Sequence, residues 1–443
     1  MSKTGYLFLT LLLCSLCILQ TNCGNVFAHY MMGNSYPSDV NSFANNIRIA
    51  SSIGIDGFAL NIGPDDWMAD RISKMFTAAT QFSNFKLFIS FDMAVMPGNP
   101  LVLVNYMQQY CHHPNYFQYQ GRCFASTFAG ESQTFGEANV NDGWQRHFKD
   151  PLQAAGINMF FVPSWTALGP VNMFENHPVL DGAFSWAAWA PDNQYKNTDE
   201  DNIYIDGARR NGKIYMAPVS PWFFTHFSYK NWIDKSEALY PRRWEEILQL
   251  KPDLVEIITW NDYGESHYIG PIDGALPDGS EKWVNGYDHQ GWLAMTAYYI
   301  QAYKTGSYPA VSQDQVTFWY RTHSKSARRD DVVAPPNNYD WAEDTIVVHA
   351  LLREPAQITV QNAGQTTTLN GNAGANTWQV NFGEGNVVVA LIRNGQTLGS
   401  KQGDKPILNS GSLYNFNACV NAFSVSGNGN SKNHASSLRP IHA

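Results

Sequence analysis

From residue 24 onward, short continuous apolar runs alternate with longer stretches whose apolar residues recur at helical spacing. Runs of four to eight β-branched and aromatic residues predict strands covered on both faces, and the 3.6-residue spacing predicts helices covering them. The first strand spans Val26–Met32 and ends near His29 and Tyr30. A helix follows, with Ser38 as its cap, Val40, Phe43, Ile47 and Ala50 on one face, and Gly54 at its end. Strands Gly57–Ile62 and Lys86–Met93 carry Asn61 and Asp92 near their ends, and the helix between them buries Ile72, Met75, Phe76 and Ala79. Helix Pro100–Tyr110, strand Cys123–Ala129 (running into Glu131), helix Gly143–Ala155 and strand Asn158–Pro163 (ending at Trp165) continue the alternation. Strand Gly182–Trp189, helix Asp201–Asn211, strand Lys213–Val219 and a helix opened by Pro241 lead to an eighth strand. That strand runs into Ile257–Gly270, IITWNDYGESHYIG, and Trp292, Met295 and Tyr299 mark a closing helix.

Eight strands alternating with helices over about 280 residues predict an α/β fold, a closed (β/α)8 TIM barrel across residues 24–308. An open doubly wound sheet is the alternative, but it calls for a glycine-rich phosphate turn after the first strand, which this sequence lacks. Past Ser307 the texture changes to short strands punctuated by Gly, Asn and Pro: Gln315–Arg321, Thr345–Leu352, Gln357–Val360, Thr366–Leu369, Trp378–Asn381, Val387–Arg393 and Ser412–Phe416. These predict an antiparallel β-sandwich domain over 309–425, followed by a disordered Gly/Asn/Ser-rich tail, 426–443. Lys325, Arg328 and Arg329 are followed at once by Asp330 and Asp331, which predicts a self-neutralised solvated loop.

Residues 1–23 read as a signal peptide: Lys3, the apolar run Leu7–Leu19, and small residues before Gly24. A secreted protein, extracellular or in a cell wall, is therefore expected. Cleavage there leaves three of six cysteines, and Cys111 and Cys123 are close enough to staple the loop between them, an effect of about 3 kcal/mol. Cys419 is then expected to be a buried free thiol. A net charge of −9 argues against nucleic acid and anionic membrane as partners, whereas a neutral polymer is acceptable. No other stretch is apolar enough to span a bilayer, no metal motif is present, and neither cofactor nor metal is expected; a monomer is.

The candidate chemistry lies at the strand ends, the face where barrels of this kind carry their active sites. His29, Asn61, Asp92, Glu131, Asp262 and Glu265 fall there, level with the rings of Trp165, Trp186, Trp189, Trp222 and Trp260. Aromatic faces stack on sugar rings, and paired carboxyls supply a proton to a glycosidic oxygen and take one from water. Tyr263 completes the ring-lined mouth, and His226 and His267 are expected to orient acids or bind sugar hydroxyls. Each residue also has a structural reading: Asp92 as a loop-start acceptor, Glu131 as an Arg partner, the tryptophans as core.

The blocks VFAHYMMGNSYP, GIDGFALNIG, KLFISFDM, FASTFAGES, FFVPSW, APVSPWFFTHFSYKNW and TWNDYGESHYIGP together resemble the fungal α-1,3-glucanases of glycoside hydrolase family 71, the mutanases, from about Val26 to Tyr308, with an echo in SLYNFNA. The resemblance implies a (β/α)8 barrel followed by a β-sandwich, and hydrolysis of fungal-wall α-1,3-glucan with inversion at the anomeric carbon. It also places the essential acids at Asp92, Asp262 and Glu265. Inversion calls for two carboxyls about 6.5–9.5 Å apart. Glu265 is expected as the acid and Asp262 as the water-activating base, although nothing in the sequence orders the two, with Asp92 stabilising developing positive charge. Two alternatives stay open: a glycosidase for another glucan linkage, and a non-catalytic wall-polysaccharide-binding protein.

Overall fold

The computed structural model describes residues 24–96, 98–171 and 173–425, together with the backbone of 431–432. The expected signal peptide and almost all of the expected tail lie outside the described residues. In chain order the first part comprises β1 (Val26–Met31), α1 (Val40–Ser52), β2 (Gly57–Ile62), α2 (Met68–Ala79), β3 (Lys86–Asp92) and α3 (Pro100–Tyr110). Next come β4 (Gln118–Tyr119), β5 (Arg122–Phe128), α4 (Val140–Trp144), α5 (Asp150–Ala154), β6 (Met159–Phe161), β7 (Gly182–Phe184) and α6 (Asp199–Arg210). Then follow β8 (Ile214–Val219), a hairpin of β9 (Phe224–Phe227) and β10 (Lys230–Ile233), α7 (Leu239–Leu250), β11 (Leu254–Ile257), α8 (Glu281–Val284) and α9 (Leu293–Thr305).

One curled sheet, parallel except for the short β4, runs β4-β5-β3-β2-β1-β11-β8-β7, with β6 paired to β5. Its two ends approach each other: the Asp181 N–H donates to the Phe161 carbonyl (2.8 Å) and the Phe184 N–H to the Pro163 carbonyl (3.0 Å). Strands β2 and β8 are buried along their whole length, as apolar parallel strands covered on both sides must be. Because side chains alternate along a strand, the face that carries Phe27 also carries His29, and the face that carries Phe88 also carries Ser90 and Asp92. Phe27, Phe88, Phe117 and Phe124 pack edge-on or tilted into one apolar layer below those polar groups.

The second part holds β12 (Asp314–Arg321), β13 (Thr345–Leu352), β14 (Ala356–Asn362), β15 (Gln365–Gly371), β16 (Gly374–Asn381), β17 (Val388–Arg393), β18 (Gln396–Gln402) and β19 (Ala418–Val425). Two antiparallel sheets result, one containing β16-β13-β12-β19 and the other β15-β14-β17-β18. Phe318, Val348, Ile358, Val389 and Phe423 belong to the apolar cluster they share. Trp319, Val347, Tyr414, Phe416 and Val420 instead join the core of the first part, so apolar packing runs unbroken between the two.

Several local expectations need correction. Asp39, not Ser38, caps α1, because its carboxylate takes the Ser42 N–H in a reciprocal capping box. Strand β7 stops at Phe184 rather than Trp189, since the Trp186 N–H turns aside to the Thr166 hydroxyl (2.9 Å). The β9–β10 hairpin lies between the expected strand Lys213–Val219 and the helix opened by Pro241, where no element was expected. Ser412–Phe416 is irregular, whereas β18 and β19 form where no strand was expected. The basic cluster does not neutralise itself. Arg329 donates to the Ser410 and Leu408 carbonyls, Lys325 to the Asp340 carbonyl (2.9 Å), and Asp331 pairs with His226 (3.0 Å). Cys111 and Cys123 form a disulfide with Cα atoms 5.8 Å apart, tying the end of α3 to β5, and Cys419 is buried as a free thiol.

Candidate active site

The chain leaving β11 stays wedged between β1 and β8. The Ile258 N–H donates to the Val219 carbonyl (2.8 Å), and the Trp260 N–H to the His29 carbonyl (2.8 Å). Asn261 then clamps the Met31 peptide from both sides, accepting from its N–H (2.7 Å) and donating to its carbonyl (3.1 Å). Behind the turn, Gly270 leaves room for the Trp260 ring, which a Cβ there would meet at 2.6 Å. The Ile258–Thr259 peptide is cis.

This rigid base presents the D-x-x-E turn. The Asp262 N–H donates to the Thr259 hydroxyl (2.8 Å), and Asp262 Oδ1 accepts from the Glu265 N–H (3.1 Å). Ser266 sits in the left-handed region (φ 61°), a conformation costing about 1 kcal/mol for such a residue, and the turn folds His267 back onto its neighbour. His267 Nε2 lies 2.7 Å from Glu265 Oε2 and 3.9 Å from Asp262 Oδ2, while Nδ1 meets the Thr259 hydroxyl at 3.1 Å. Lys230 reaches across from the hairpin to Glu265 Oε1, with its ammonium 5.6 Å from the Trp232 ring centre.

The two carboxyls are thereby driven apart in proton affinity. Burial raises the Asp262 pKa, and the negative charge of Glu265 raises it further. Burial also acts to raise Glu265, but its hydrogen bond to His267 and the charges of His267 and Lys230 outweigh that and bring it down to about 2. At neutral pH the unliganded turn therefore holds Glu265 as the carboxylate, and any proton the pair retains rests on Asp262. This order is the reverse of the one expected from the sequence, and its causes are His267 first and Lys230 second.

Asp92, at the end of β3, is close enough for the charges of His29 and Lys230 to act on it, and burial raises its pKa. Below it, His29 Nδ1 and Glu256 Oε1 meet at 2.6 Å in full burial, and burial raises the Glu256 pKa. The outer nitrogen of His29, Nε2, is buried with no hydrogen-bond partner among the described residues, and the half-buried Trp186 packs edge-on to the ring at 4.8 Å. The structure thus brings together Asp92, Asp262, Glu265, His267, His29 and Trp186. Asn61 is buried at the end of β2, and Glu131 lies half-buried in the loop after β5, one oxygen having no hydrogen-bond partner among the described residues.

Five expected site residues serve packing instead. Trp165 is fully buried against Trp144, Phe161 and His177. Trp222 is buried and donates to the Phe416 carbonyl (3.0 Å), and Trp260 is sealed against Phe58 and donates to Asn46 (2.6 Å). Tyr263 is buried and donates to the Pro271 carbonyl (2.9 Å). His226 is consumed by Asn231 (2.7 Å) and Asp331 (3.0 Å). In the last four the polar ring edge satisfies a buried backbone or side-chain group, whereas Trp165 is held by ring packing alone, its Nε1 without a hydrogen-bond partner among the described residues.

The structure adds Lys230, Asp234, Glu256 and the half-buried Trp232, which stacks on Phe223 (5.3 Å), itself 5.9 Å from the His267 ring. Asp234, just past β10, is raised to about 7, by burial first and by Glu265 second. Glu256 alone left a trace in the sequence, as a charge inside an apolar strand. Asp262, Glu265 and His267 could each offer one ligand atom within 4.8 Å of the others, but Lys230 already supplies the positive charge beside Glu265. A recess of about 480 Å³ at the opposite, N-terminal end of the strands, lined by Asp56, Lys86 and His113 among others, contains none of these acids.

The model for Glycosyl hydrolase family 71 matches residues 23–433. "Glucan endo-1,3-alpha-glucosidase agn1" of Schizosaccharomyces pombe is 44% identical over 417 residues, covering 93% of this chain and 97% of the relative. "Ascus wall endo-1,3-alpha-glucanase" of the same yeast is 37% identical, covering 90% and 97%. "Mutanase Pc12g07500" of Penicillium rubens is 38% identical, covering 89% and 88%. Among solved structures, the GH99 endo-alpha-mannosidase from Bacteroides thetaiotaomicron matches 64% of this chain and 98% of its own, at 12% identity and a TM-score of 0.49.

Proposed function

The chain belongs to glycosyl hydrolase family 71, and from that premise we propose that it hydrolyses internal α-1,3-glucosidic bonds of α-1,3-glucan. The observation that carries the reading is the Asp262–Glu265 turn, two carboxyls whose surroundings favour opposite protonation states. Asp262 holds the proton for the departing glycosidic oxygen, and Glu265 is the carboxylate that activates water. Asp92 faces the developing positive charge, and His29 Nε2 is available to hydrogen-bond a sugar hydroxyl beside the Trp186 ring. The relatives at 37–44% identity, named as endo-1,3-α-glucanases or mutanase, support both the linkage and the internal mode of attack.

The finer architecture belongs to the same proposal. Eight parallel strands in cyclic order, with backbone hydrogen bonds from Asp181 and Phe184 bridging the last gap, support a closed (β/α)8 barrel over 24–308. The two-sheet cluster supports a β-sandwich over 309–425. Export is supported by the leader-like first 23 residues and by the relative named for the ascus wall; among the described residues no helix is long and apolar enough to cross a membrane. Inversion has only the family resemblance behind it. The nearest usable oxygens of Asp262 and Glu265 lie within 4.8 Å, and an inverting pair needs a wider gap, about 6.5–9.5 Å between carboxyls, for its water.

Purified protein is to be assayed on alkali-soluble α-1,3-glucan beside β-1,3- and α-1,4-glucans, with proton NMR following the first anomer released. Activity confined to the α-1,3 polymer is expected, and Asp262→Asn and Glu265→Gln should each lower turnover at least about 10²-fold without unfolding the protein. Near-normal turnover in either folded variant, or preference for another linkage, would refute the reading. A first product of β configuration establishes inversion, and one of α configuration replaces it with retention.

A further inference from the structure

We propose that Lys230 is a positioning residue for this reaction: its ammonium fixes the Glu265 carboxylate, and the C-terminal part of the chain, by clasping the β9–β10 hairpin, fixes Lys230. The inference rests on the reading of Asp262 and Glu265 as the reacting pair.

A surface lysine ordinarily samples many rotamers, and one contact to a carboxylate means little. Here the hairpin that carries the lysine is held at its base and along its outer edge. The hairpin register pairs Lys230 with Phe227, Asn231 with His226 and Ile233 with Phe224. At its base, the Phe224 N–H donates to the Glu265 carbonyl (3.1 Å), so the hairpin and the catalytic turn share a hydrogen bond independent of the lysine. The outer edge is tied to the loop after β12. The Ile233 N–H donates to the Asn337 carbonyl (3.1 Å), the Asn337 N–H to the Asn231 carbonyl (3.0 Å), and Asn231 Nδ2 to the Ala334 carbonyl (2.9 Å). Beneath, His226 links Asn231 (2.7 Å) to the buried carboxylate of Asp331 (3.0 Å), which also accepts the Tyr414 N–H (2.8 Å). The lysine side chain itself is only about a third exposed (35%) and lies over the Trp232 ring.

The groups facing Glu265 are Asp262 and His267 on its own turn and Lys230 and Asp234 on the hairpin, and Lys230 also acts on Asp92. Of these, Lys230 and His267 oppose the three neighbouring acids. Burial works against the lysine's charge, yet Glu265 and then Asp262 hold its pKa above the usual range, which matches the depression seen at Glu265. The clasp explains how residues 331–337, far along the chain, bear on chemistry at residue 265.

The test is a side-chain ¹³C titration of Glu265, with the pH profile of kcat/KM, in the full-length protein, Lys230→Met, Lys230→Arg and Asn231→Ala. In Lys230→Met the Glu265 titration and the acidic limb of the profile should both move upward by about one to three pH units. Lys230→Arg should keep both near their parental positions. Asn231→Ala, which cuts the tie to Ala334 and to His226, should move them the same way by less. An unmoved titration and limb in folded Lys230→Met overturn the inference, and a loss of stability in Asn231→Ala with the limb unmoved overturns the clasp. Full turnover in Glu265→Gln would instead sink the functional reading itself, so the two failures are distinguishable.

Discussion

The parallel strands of the first part and the antiparallel strands of the second treat polar residues in opposite ways. In β14 buried positions alternate with outward ones at period two, and the outward residues Gln357 and Gln361 are exposed to solvent. In β1, β2 and β11 every residue but Met31 is buried, so a polar side chain there has no solvent face to occupy. His29, Asn61 and Glu256 therefore cost desolvation wherever they sit, and the first two lie toward the strand ends that support the catalytic turn. A polar residue in an all-buried strand thus carries far more information than the same residue in an alternating one.

Three measurements can break or sharpen this contrast. The largest effect is expected at Arg243, fully buried in the first part, which donates to both oxygens of Asp201 (2.7 and 2.8 Å) and to the Pro218 carbonyl (2.9 Å). Arg243→Met strands the Asp201 carboxylate and should lower unfolding free energy by about 3–5 kcal/mol in urea titration. A loss below 1 kcal/mol would show that even the most buried polar groups of this part are weakly coupled to the fold.

Next comes the response to pH, whose sign should differ between the parts. Asp234 is raised to about 7, so the fold favours its protonated form; that stability is present below the unfolded pKa and is lost as pH climbs from about 4 to 7. Asp314 is lowered: burial raises it, but Arg393 and Arg353 prevail. Its contribution is present above the unfolded pKa and is lost as pH falls below about 4. In thermal scans across pH, Asp234→Asn should flatten the loss toward neutrality and Asp314→Asn the loss toward acid. Indistinguishable profiles would erase the contrast. The smallest effect is expected at Thr368, exposed on β15, where Thr368→Ala should change stability by no more than about 0.5 kcal/mol.

Much of the fold could be read from apolar spacing alone. Helix α3 begins and ends at the expected residues, as does β13. The acids at residues 92, 262 and 265 were legible because each lies at or beyond a strand end. The tryptophans were not, because an aromatic ring after a strand reads identically whether it faces the mouth or plugs the core. Trp165, Trp222 and Trp260 all plug the core. The proton order within the acid pair was equally hidden, since it depends on the fold-back of His267 and, after it, on a lysine 35 positions earlier in the chain, returned by a hairpin whose register no local pattern encodes.

The continuity of the apolar core has a consequence for synthesis. The Trp222 indole leans on the Phe416 carbonyl, 194 residues downstream, and the Tyr268 hydroxyl is met by Asn417, 149 residues downstream. While the ribosome is still making the sandwich strands, the walls around the reactive turn have nothing to rest against. The catalytic half therefore gains these supports only after residues 416–417 have emerged.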